Sequence, residues 1–232
     1  AEAESVAAVI AEPVQGEGGF VVPPLEYFKK LQTICEKNNI LFVMDEIQSG
    51  MGRTGKRFAS EHYGVVPDII LTAKSLAAGL PLAGITGKAD IMEMPPVGAL
   101  GGTFGGNPVS CRAALAVLEF LTDDFLHEAE RLGEHVRKRF LKLQEEFDVI
   151  GDVRGLGPML AMELVNDRET KAPATDEAKE LVSRCREKGL IILSCGNYGN
   201  VIRTLMPLVI TEEQLEQGCR ILKEGLKEIT GG

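Results

Sequence analysis

Ile40-Leu41-Phe42-Val43-Met44-Asp45-Glu46 and Asp68-Ile69-Ile70-Leu71-Thr72-Ala73-Lys74 are the two segments that decide the fold. Each holds a short apolar run rich in Ile, Leu or Val and bounded by turn residues, which is typical of a strand buried on both faces. Such strands belong to parallel sheets, and open α/β sheets bind ligands beyond the carboxyl ends of their strands. The sequence therefore predicts that Asp45 and Lys74 project into one crevice.

A lysine at the end of a buried strand has two interpretations. Lys74 can be an amine that reacts with carbonyl groups to form an imine, or a surface group whose stem packs while its charge reaches water. Asp45 favours the first, because a carboxylate facing a pyridine nitrogen keeps that nitrogen protonated and makes a pyridoxal ring an electron sink. The alternative for Asp45 or Glu46 is a helix cap or an ion-pair partner.

Composition limits the function classes. The chain has 232 residues, of which 44% are hydrophobic and 25% charged, so it can bury a large core. Its net charge of −9 argues against binding nucleic acid or an anionic lipid surface, which requires clustered Lys and Arg. No apolar run is long enough to cross a bilayer, so we expect small-molecule chemistry with no membrane partner.

The cysteines and histidines predict neither a disulfide framework nor a metal site. The five cysteines are scattered without a C-x-x-C pair, and the three histidines lack metal-ligand spacing. We interpret the cysteines as reduced thiols, and the first residues lack the pattern of a signal peptide. The expected location is the cytoplasm.

The chain is expected to form two domains. Residues 6–11 read as a strand, 23–37 as a helix and 40–44 as the next strand, which gives a β-α-β unit. The pattern changes near residue 123 to charged amphipathic helices and alternating strands, which indicates a smaller α+β domain. We therefore predict a large domain with a mostly parallel sheet over residues 1–123 and a small C-terminal α+β domain over residues 124–232.

The loop at residues 50–55, GMGRTG, matches the G-x-G-x-x-G pattern of dinucleotide-binding proteins. That motif should follow its strand directly and open a helix. Here Asp45 and Glu46 occupy the end of the strand, and five residues lie between its apolar run and the loop. The helix after the loop is predicted to be short. The nicotinamide interpretation is therefore rejected.

Two segments at the right separation resemble the signature of class III (omega) aminotransferases that use pyridoxal phosphate: residues 42–55 (FVMDEIQSGMGRTG) and 68–79 (DIILTAKSLAAG). The resemblance extends along the chain and includes residues 12–19 (EPVQGEGG), 102–108 (GTFGGNP) and 151–157 (GDVRGLG). It is strongest to 4-aminobutyrate aminotransferases in residues 193–196 (LSCG) and 200–207 (NVIRTLMP). The resemblance implies that this chain contains part of the large domain of the fold type I PLP-transferases, followed by their small domain.

The resemblance implies roles for five residues around pyridoxal 5'-phosphate. Lys74 would be the Schiff-base lysine, and Asp45 the partner of the ring nitrogen. Ile47 would pack against the ring, and Gln48 would hydrogen-bond its phenolic oxygen. Thr103 would reach the cofactor phosphate of a neighbouring subunit, which implies a homodimer with shared active sites in the full-length form.

The same resemblance implies how substrates are bound. Arg203 would grip the α-carboxylate of glutamate or 2-oxoglutarate, since a guanidinium binds a carboxylate through two hydrogen bonds. Glu17 would neutralise Arg203 when the amine substrate, which lacks that carboxylate, is bound. The implied reaction is a ping-pong transamination from 4-aminobutyrate, or a similar omega-amine, to 2-oxoglutarate.

The resemblance covers the C-terminal portion of longer enzymes. It leaves out a phosphate-binding loop, an aromatic residue stacked on the ring and an arginine for the distal carboxylate, so we expect this chain alone to hold the cofactor poorly, to be inactive and to associate. Two alternatives stay open. One is an acetylornithine-type or ornithine-type aminotransferase, or another PLP enzyme of the same fold, and the other is a non-catalytic binding fragment.

Overall fold

The computed structural model describes residues 2–231 and divides them into two compact units. The first contains the residues up to Pro13 together with Pro23–His127, and the second contains Val14–Val22 together with the chain from Glu128 onward. The inclusion of Val14–Val22 in the second unit was not indicated by the sequence. The assignment of residues 1–123 and 124–232 to a cofactor-binding domain and a small domain stays a prediction.

The first unit is built on a four-stranded sheet in the order β1-β2-β3-β4. The strands are β1 (Ala8–Ala11), β2 (Leu41–Asp45), β3 (Ile69–Thr72) and β4 (Gly84–Gly87). β1, β2 and β3 run parallel, and β4 runs antiparallel to β3. The mostly parallel sheet that the apolar runs predicted is therefore confirmed.

Helices connect and flank this sheet. They are α1 (Leu25–Lys37), α2 (Ser60–Tyr63), α3 (Ala89–Met92) and α4 (Pro108–Phe120). α1 is amphipathic, and its Phe28 ring packs against Phe42 of β2 and against Tyr63 of α2, with centroid distances of 6.3 and 4.8 Å. All three side chains are almost fully buried, so α1 is fixed on the sheet by aromatic contacts.

The loop after β2 does not open a long helix. Residues 50–55 lie in turns, and the helix that follows, α2, spans only Ser60–Tyr63. The short helix expected after the G-x-G-x-x-G match is confirmed, and the match does not have the strand-to-helix setting of a dinucleotide-binding motif.

The second unit combines an antiparallel sheet with three helices. The helix α5 spans Asp123–Glu146, and its part from Glu128 onward belongs to this unit. The other elements are β5 (Ile150–Leu156), β6 (Met159–Leu164), α6 (Thr175–Glu187), β7 (Leu193–Cys195), β8 (Val201–Arg203) and α7 (Glu212–Thr230). The strand order is β5-β6-β8-β7, and every neighbouring pair is antiparallel. An α+β arrangement was expected here.

Both faces of this second sheet are covered. Leu160, Met162 and Leu164 of β6 belong to a core cluster that includes buried side chains of α5, α6 and α7. Met159 and Ala161, which alternate with them, form a second cluster whose other members include Val14 and Phe20. Alternation along β6 thus places the helices on one face and the segment Val14–Val22 on the other.

Within residues 2–231, no helix combines the length and apolar character needed to span a membrane. The same residues contain no group of His, Cys, Asp and Glu placed to hold a metal ion.

Candidate active site

Asp45 and Lys74 follow neighbouring parallel strands. Asp45 is the last residue of β2 and pairs in register with Leu71 of β3. Lys74 comes shortly after Leu71 and begins a 3-10 turn, Lys74–Ala77. The structure therefore places both residues at the same carboxyl edge of the sheet, where ligands of α/β proteins bind.

The backbone of Lys74 has an unusual conformation. Its φ is 47°, in the left-handed region that lysine rarely adopts, and Ala78 at the end of the same turn has a φ of 50°. The Lys74 side chain is exposed, so its amine is not held inside the core as a strand-end position suggested. β3 ends at Thr72, and Lys74 lies in the 3-10 turn that follows rather than in the strand itself. Strained positions of this kind cluster at functional sites.

Asp45 and Glu46 have different environments although they are neighbours. Asp45 is half-buried, and its Oδ1 accepts a hydrogen bond of 3.0 Å from the backbone N–H of Ile47. The Glu46 side chain points into the core, and the residue is only 1% exposed. The helix-cap alternative thus describes Glu46, and Asp45 is the carboxylate at the edge of the sheet.

The Glu46 carboxylate is a structural anchor that the sequence did not single out as functional. Its Oε2 accepts hydrogen bonds from Ser49 Oγ at 2.6 Å and from the Ala59 backbone N–H at 3.0 Å, and its Oε1 accepts one from the Ser60 backbone N–H at 2.7 Å. Burial raises the pKa of Glu46, and these hydrogen bonds act in the opposite direction. Glu46 ties the turn after β2 to the start of α2.

Ile47 and Gln48 occupy the turn that follows Asp45, and both are half-buried. The Gln48 Oε1 atom is buried and has no hydrogen-bond partner. An unpaired buried amide oxygen is costly, so a bound group that supplies a polar partner would satisfy it. An acid, an amine and an incompletely paired amide at one sheet edge fit a ring cofactor that carries polar substituents.

Thr103 lies apart from these residues along the chain. It is exposed in a glycine-rich turn before α4, where the Gly105 backbone N–H donates to the Gly102 carbonyl at 3.0 Å. Asn107 caps α4 by accepting from the backbone N–H groups of Val109 and Ser110. The role of Thr103 in a neighbouring subunit stays a prediction.

Glu17 and Arg203 come together within the second unit. Arg203 ends β8 and pairs in register with Ala161 of β6 and Leu193 of β7. Its Nη1 lies 2.5 Å from Glu17 Oε1. The Arg203 side chain is 10% exposed and the Glu17 side chain 73%, and Arg203 Nε is buried without a partner. A fixed guanidinium therefore faces a carboxylate that has room to move.

The loop that carries Glu17 is held by Arg154, for which the sequence predicted no role. Arg154 of β5 donates from Nε to the Gly19 carbonyl at 2.8 Å. Its only signal in the sequence was its position in the segment 151–157, which resembles the family. The backbone N–H of Gly196 also donates to the Glu17 carbonyl at 2.9 Å.

Residues 1–226 match the family described as aminotransferase class III. The chain is 47% identical over 230 residues to 5-aminovalerate aminotransferase DavT of Pseudomonas aeruginosa, covering 99% of this chain and 54% of that protein. Against 4-aminobutyrate aminotransferase GabT of Escherichia coli, identity is 46% over 226 residues, covering 97% and 53%. Against a leucine/methionine racemase of Thermococcus litoralis, identity is 49% over 232 residues, covering 99% and 52%.

A solved structure shows the same likeness. The ornithine aminotransferase of Toxoplasma gondii, described as having partial occupancy of PLP at its active site, gives a TM-score of 0.87 at 35% identity, covering 98% of this chain and 52% of that one. This likeness confirms the fold class that the sequence predicted. The chain spans about half the length of the curated relatives it matches.

Proposed function

This chain belongs to the class III aminotransferase family, and from that membership we propose that it carries cofactor-binding and substrate-binding residues of a transaminase. The amino group would move from 4-aminobutyrate, or a similar ω-amino acid, to 2-oxoglutarate in a ping-pong reaction. The observation that carries the proposal is the placement of Asp45 and Lys74 at adjacent carboxyl ends of β2 and β3. The 4-aminobutyrate and 5-aminovalerate aminotransferases among the relatives support the substrate class.

The proposed cofactor is pyridoxal 5'-phosphate, which when bound supplies the aldehyde and the electron sink that amino-group exchange needs. Lys74, Asp45, Ile47 and Gln48 would hold it. The unpaired Gln48 amide oxygen, and an Asp45 carboxylate fixed by the Ile47 backbone N–H, support this assignment.

Lys74 would be the group that moves protons. A primary amine at the end of a strand can take a proton from a substrate carbon at its Nζ and return it. The exposure of Lys74 allows its flexible stem to reach a substrate. The Asp45 carboxylate would face the ring nitrogen of the cofactor and favour the protonated form of that nitrogen.

Glu17 and Arg203 would select substrates by charge balance. When a substrate brings an α-carboxylate, Arg203 would bind it through two hydrogen bonds and Glu17 would move away. When the substrate is an ω-amine without that carboxylate, Glu17 would neutralise Arg203, as in the pair described above.

We also propose a homodimer in which Thr103 contributes to the partner's cofactor site, and a cytoplasmic location. The five cysteines of the chain are all free thiols, which supports a reducing compartment.

One relative favours a second candidate reaction. The leucine/methionine racemase matches along 99% of this chain. Racemisation, like transamination, moves a proton at the carbon that bears the amino group, but it needs no 2-oxo acid. Acetylornithine and ornithine also remain candidate substrates. Incubation with each amine, with and without 2-oxoglutarate, separates these reactions, because only transamination requires the 2-oxo acid.

The experiment that tests the proposal is reduction with borohydride after pyridoxal phosphate is added to the purified chain. Because we expect the chain alone to hold the cofactor poorly, labelling should be partial, but the label that forms should map to Lys74 and be absent from that position in Lys74→Ala. Label scattered over surface lysines would contradict the assignment of Lys74 and would favour a non-catalytic binding fragment. A 4-aminobutyrate assay on the same sample tests turnover.

A further inference from the structure

Arg154 connects three parts of the second unit. Its Nε donates to the Gly19 carbonyl at 2.8 Å, and its Nη1 lies 3.0 Å from Asp152 Oδ2. The same Nη1 also pairs with Glu163 of β6. Only 19% of the Arg154 side chain is exposed, so this guanidinium is a fixed bridge between β5, β6 and the loop that contains Glu17.

The backbone of the Glu17 loop is closed on both sides. Gln15 and Val21 exchange two backbone hydrogen bonds of 3.0 and 3.3 Å at its base. The buried ring of Phe20 packs in the cluster with Met159 and Ala161. The Glu17 carbonyl accepts from Gly196, and Arg154 holds the next part of the loop at Gly19. The Glu17 side chain itself stays 73% exposed.

Gly19 allows this close approach. Its φ is 111°, and a Cβ at this position would lie 3.1 Å from Arg154 Nη2 and 3.4 Å from the Gly196 Cα. There is therefore no room for a larger side chain than that of glycine between the loop and Arg154. The position of Glu17 depends on where Arg154 holds this loop.

We propose that Arg154 is a positioning residue for substrate choice. It holds the backbone of the Glu17 loop against β5. Rotation of the Glu17 side chain alone then brings its carboxylate into contact with Arg203 or moves it away. This inference rests on the proposed function of Glu17 and Arg203. It predicts that loosening the loop frees Arg203 for substrates that carry an α-carboxylate.

The test uses Arg154→Lys, which keeps a positive charge for Asp152 and Glu163 but loses the planar fork that reaches Gly19. The matched control is Arg137→Lys, because Arg137 donates from Nη2 to the Gly155 carbonyl of β5 at 2.6 Å and no hydrogen bond to the Glu17 loop is described for it. Binding of 2-oxoglutarate is followed through the NMR signal of the Arg203 Nε–H, assigned by its loss in Arg203→Lys.

We expect Arg154→Lys to bind 2-oxoglutarate at least about fivefold more tightly than the parent chain, and Arg137→Lys to bind it equally. In a Glu17→Gln background, Arg154→Lys should produce no further change, since the effect acts through Glu17. The proposal is overturned if Arg154→Lys has no effect, or if the effect persists without the Glu17 carboxylate.

A second measurement separates this inference from the proposed function. If 2-oxoglutarate leaves the Arg203 signal unchanged in every variant, the substrate role of Arg203 fails, and the anchor is then judged by amide hydrogen exchange at Gly196. Faster exchange in Arg154→Lys than in Arg137→Lys supports Arg154 as the anchor of the loop. Equal exchange rates refute it.

Discussion

The Nη1 atom of Arg203 lies 2.5 Å from Oε1 of Glu17, and the two side chains differ sharply in burial. The arginine is 10% exposed and fixed at the end of a strand, and the glutamate is 73% exposed on a loop whose backbone is closed. In such a pair the glutamate is the partner that can move. This asymmetry is what a site needs if the same arginine is to serve two substrates with different charges.

Glu17→Gln should therefore strengthen the binding of 2-oxoglutarate. The dicarboxylate no longer has to displace an anion from Arg203, and we expect an affinity gain of about tenfold, equivalent to ~1.4 kcal/mol. Folding stability should change by less than ~1 kcal/mol, because Glu17 is mostly exposed. Isothermal titration calorimetry and urea unfolding measure the two effects.

The control for this prediction is Glu212→Gln, which removes an exposed carboxylate that pairs with Arg139 at 2.7 Å. It should leave 2-oxoglutarate binding unchanged. Equal or weaker binding in Glu17→Gln would show that Glu17 does not compete for Arg203.

Much of the first unit could be predicted because buried parallel strands have a strong sequence pattern. Two short apolar runs gave the strands β2 and β3, and their parallel pairing put Asp45 and Lys74 at one edge. The antiparallel direction of β4 could not be predicted, because strand direction depends on how the turn after Lys74 folds back. The exposure of Lys74 depends on the same turn.

The contacts that support the site were harder to predict, because each depends on residues distant in the chain. Glu46 reads as a second acid after Asp45, and only the fold shows that its carboxylate caps α2. Arg154 reads as a charged residue in an alternating strand, and only the packing of Val14–Val22 on the second sheet gives it the Gly19 carbonyl. Neither contact has a local sequence signature.

Lys74 offers a test of its backbone conformation. Because its φ is 47°, glycine should be tolerated there at least as well as alanine, so Lys74→Gly should be as stable as Lys74→Ala or more stable. In the middle of α1 the order should reverse, with Lys30→Gly less stable than Lys30→Ala by about 0.5–1 kcal/mol. Urea unfolding of the four variants provides the comparison. A destabilised Lys74→Gly relative to Lys74→Ala would contradict the left-handed conformation.

Two helical glycines should respond oppositely to alanine. A Cβ on Gly133 of α5 would lie 2.3 Å from the backbone carbon of Gly157, whereas a Cβ on Gly218 of α7 would meet only Leu190 Cδ1 at 3.6 Å. Gly133→Ala should lower the free energy of unfolding by at least ~2 kcal/mol. Gly218→Ala should raise it by about 0.5–1 kcal/mol, because alanine is the better helix former. Equal effects, measured by urea unfolding, would show that α5 does not contact Gly157 this closely.

Glu46 should give the stability of the chain a distinctive pH dependence. Burial raises its pKa above the ordinary value of 4.5, so the folded state binds this proton more tightly than the unfolded state. The resulting contribution to stability is fully present below pH 4.5 and is lost as the pH rises through the pKa of folded Glu46.

Glu46→Gln removes that titration and also replaces one oxygen by an amide group that cannot accept from the Ala59 backbone N–H, which should cost about 1–3 kcal/mol. The advantage of the parent chain over the variant should therefore be largest in acid and shrink as the pH rises above 4.5. Glu61→Gln is the control, since Glu61 is an exposed residue that accepts from the Phe58 backbone N–H at 2.8 Å beside the same helix. Urea unfolding across pH measures both differences, and a gap between parent and Glu46→Gln that widens with rising pH would refute the assignment of a burial-raised pKa to Glu46.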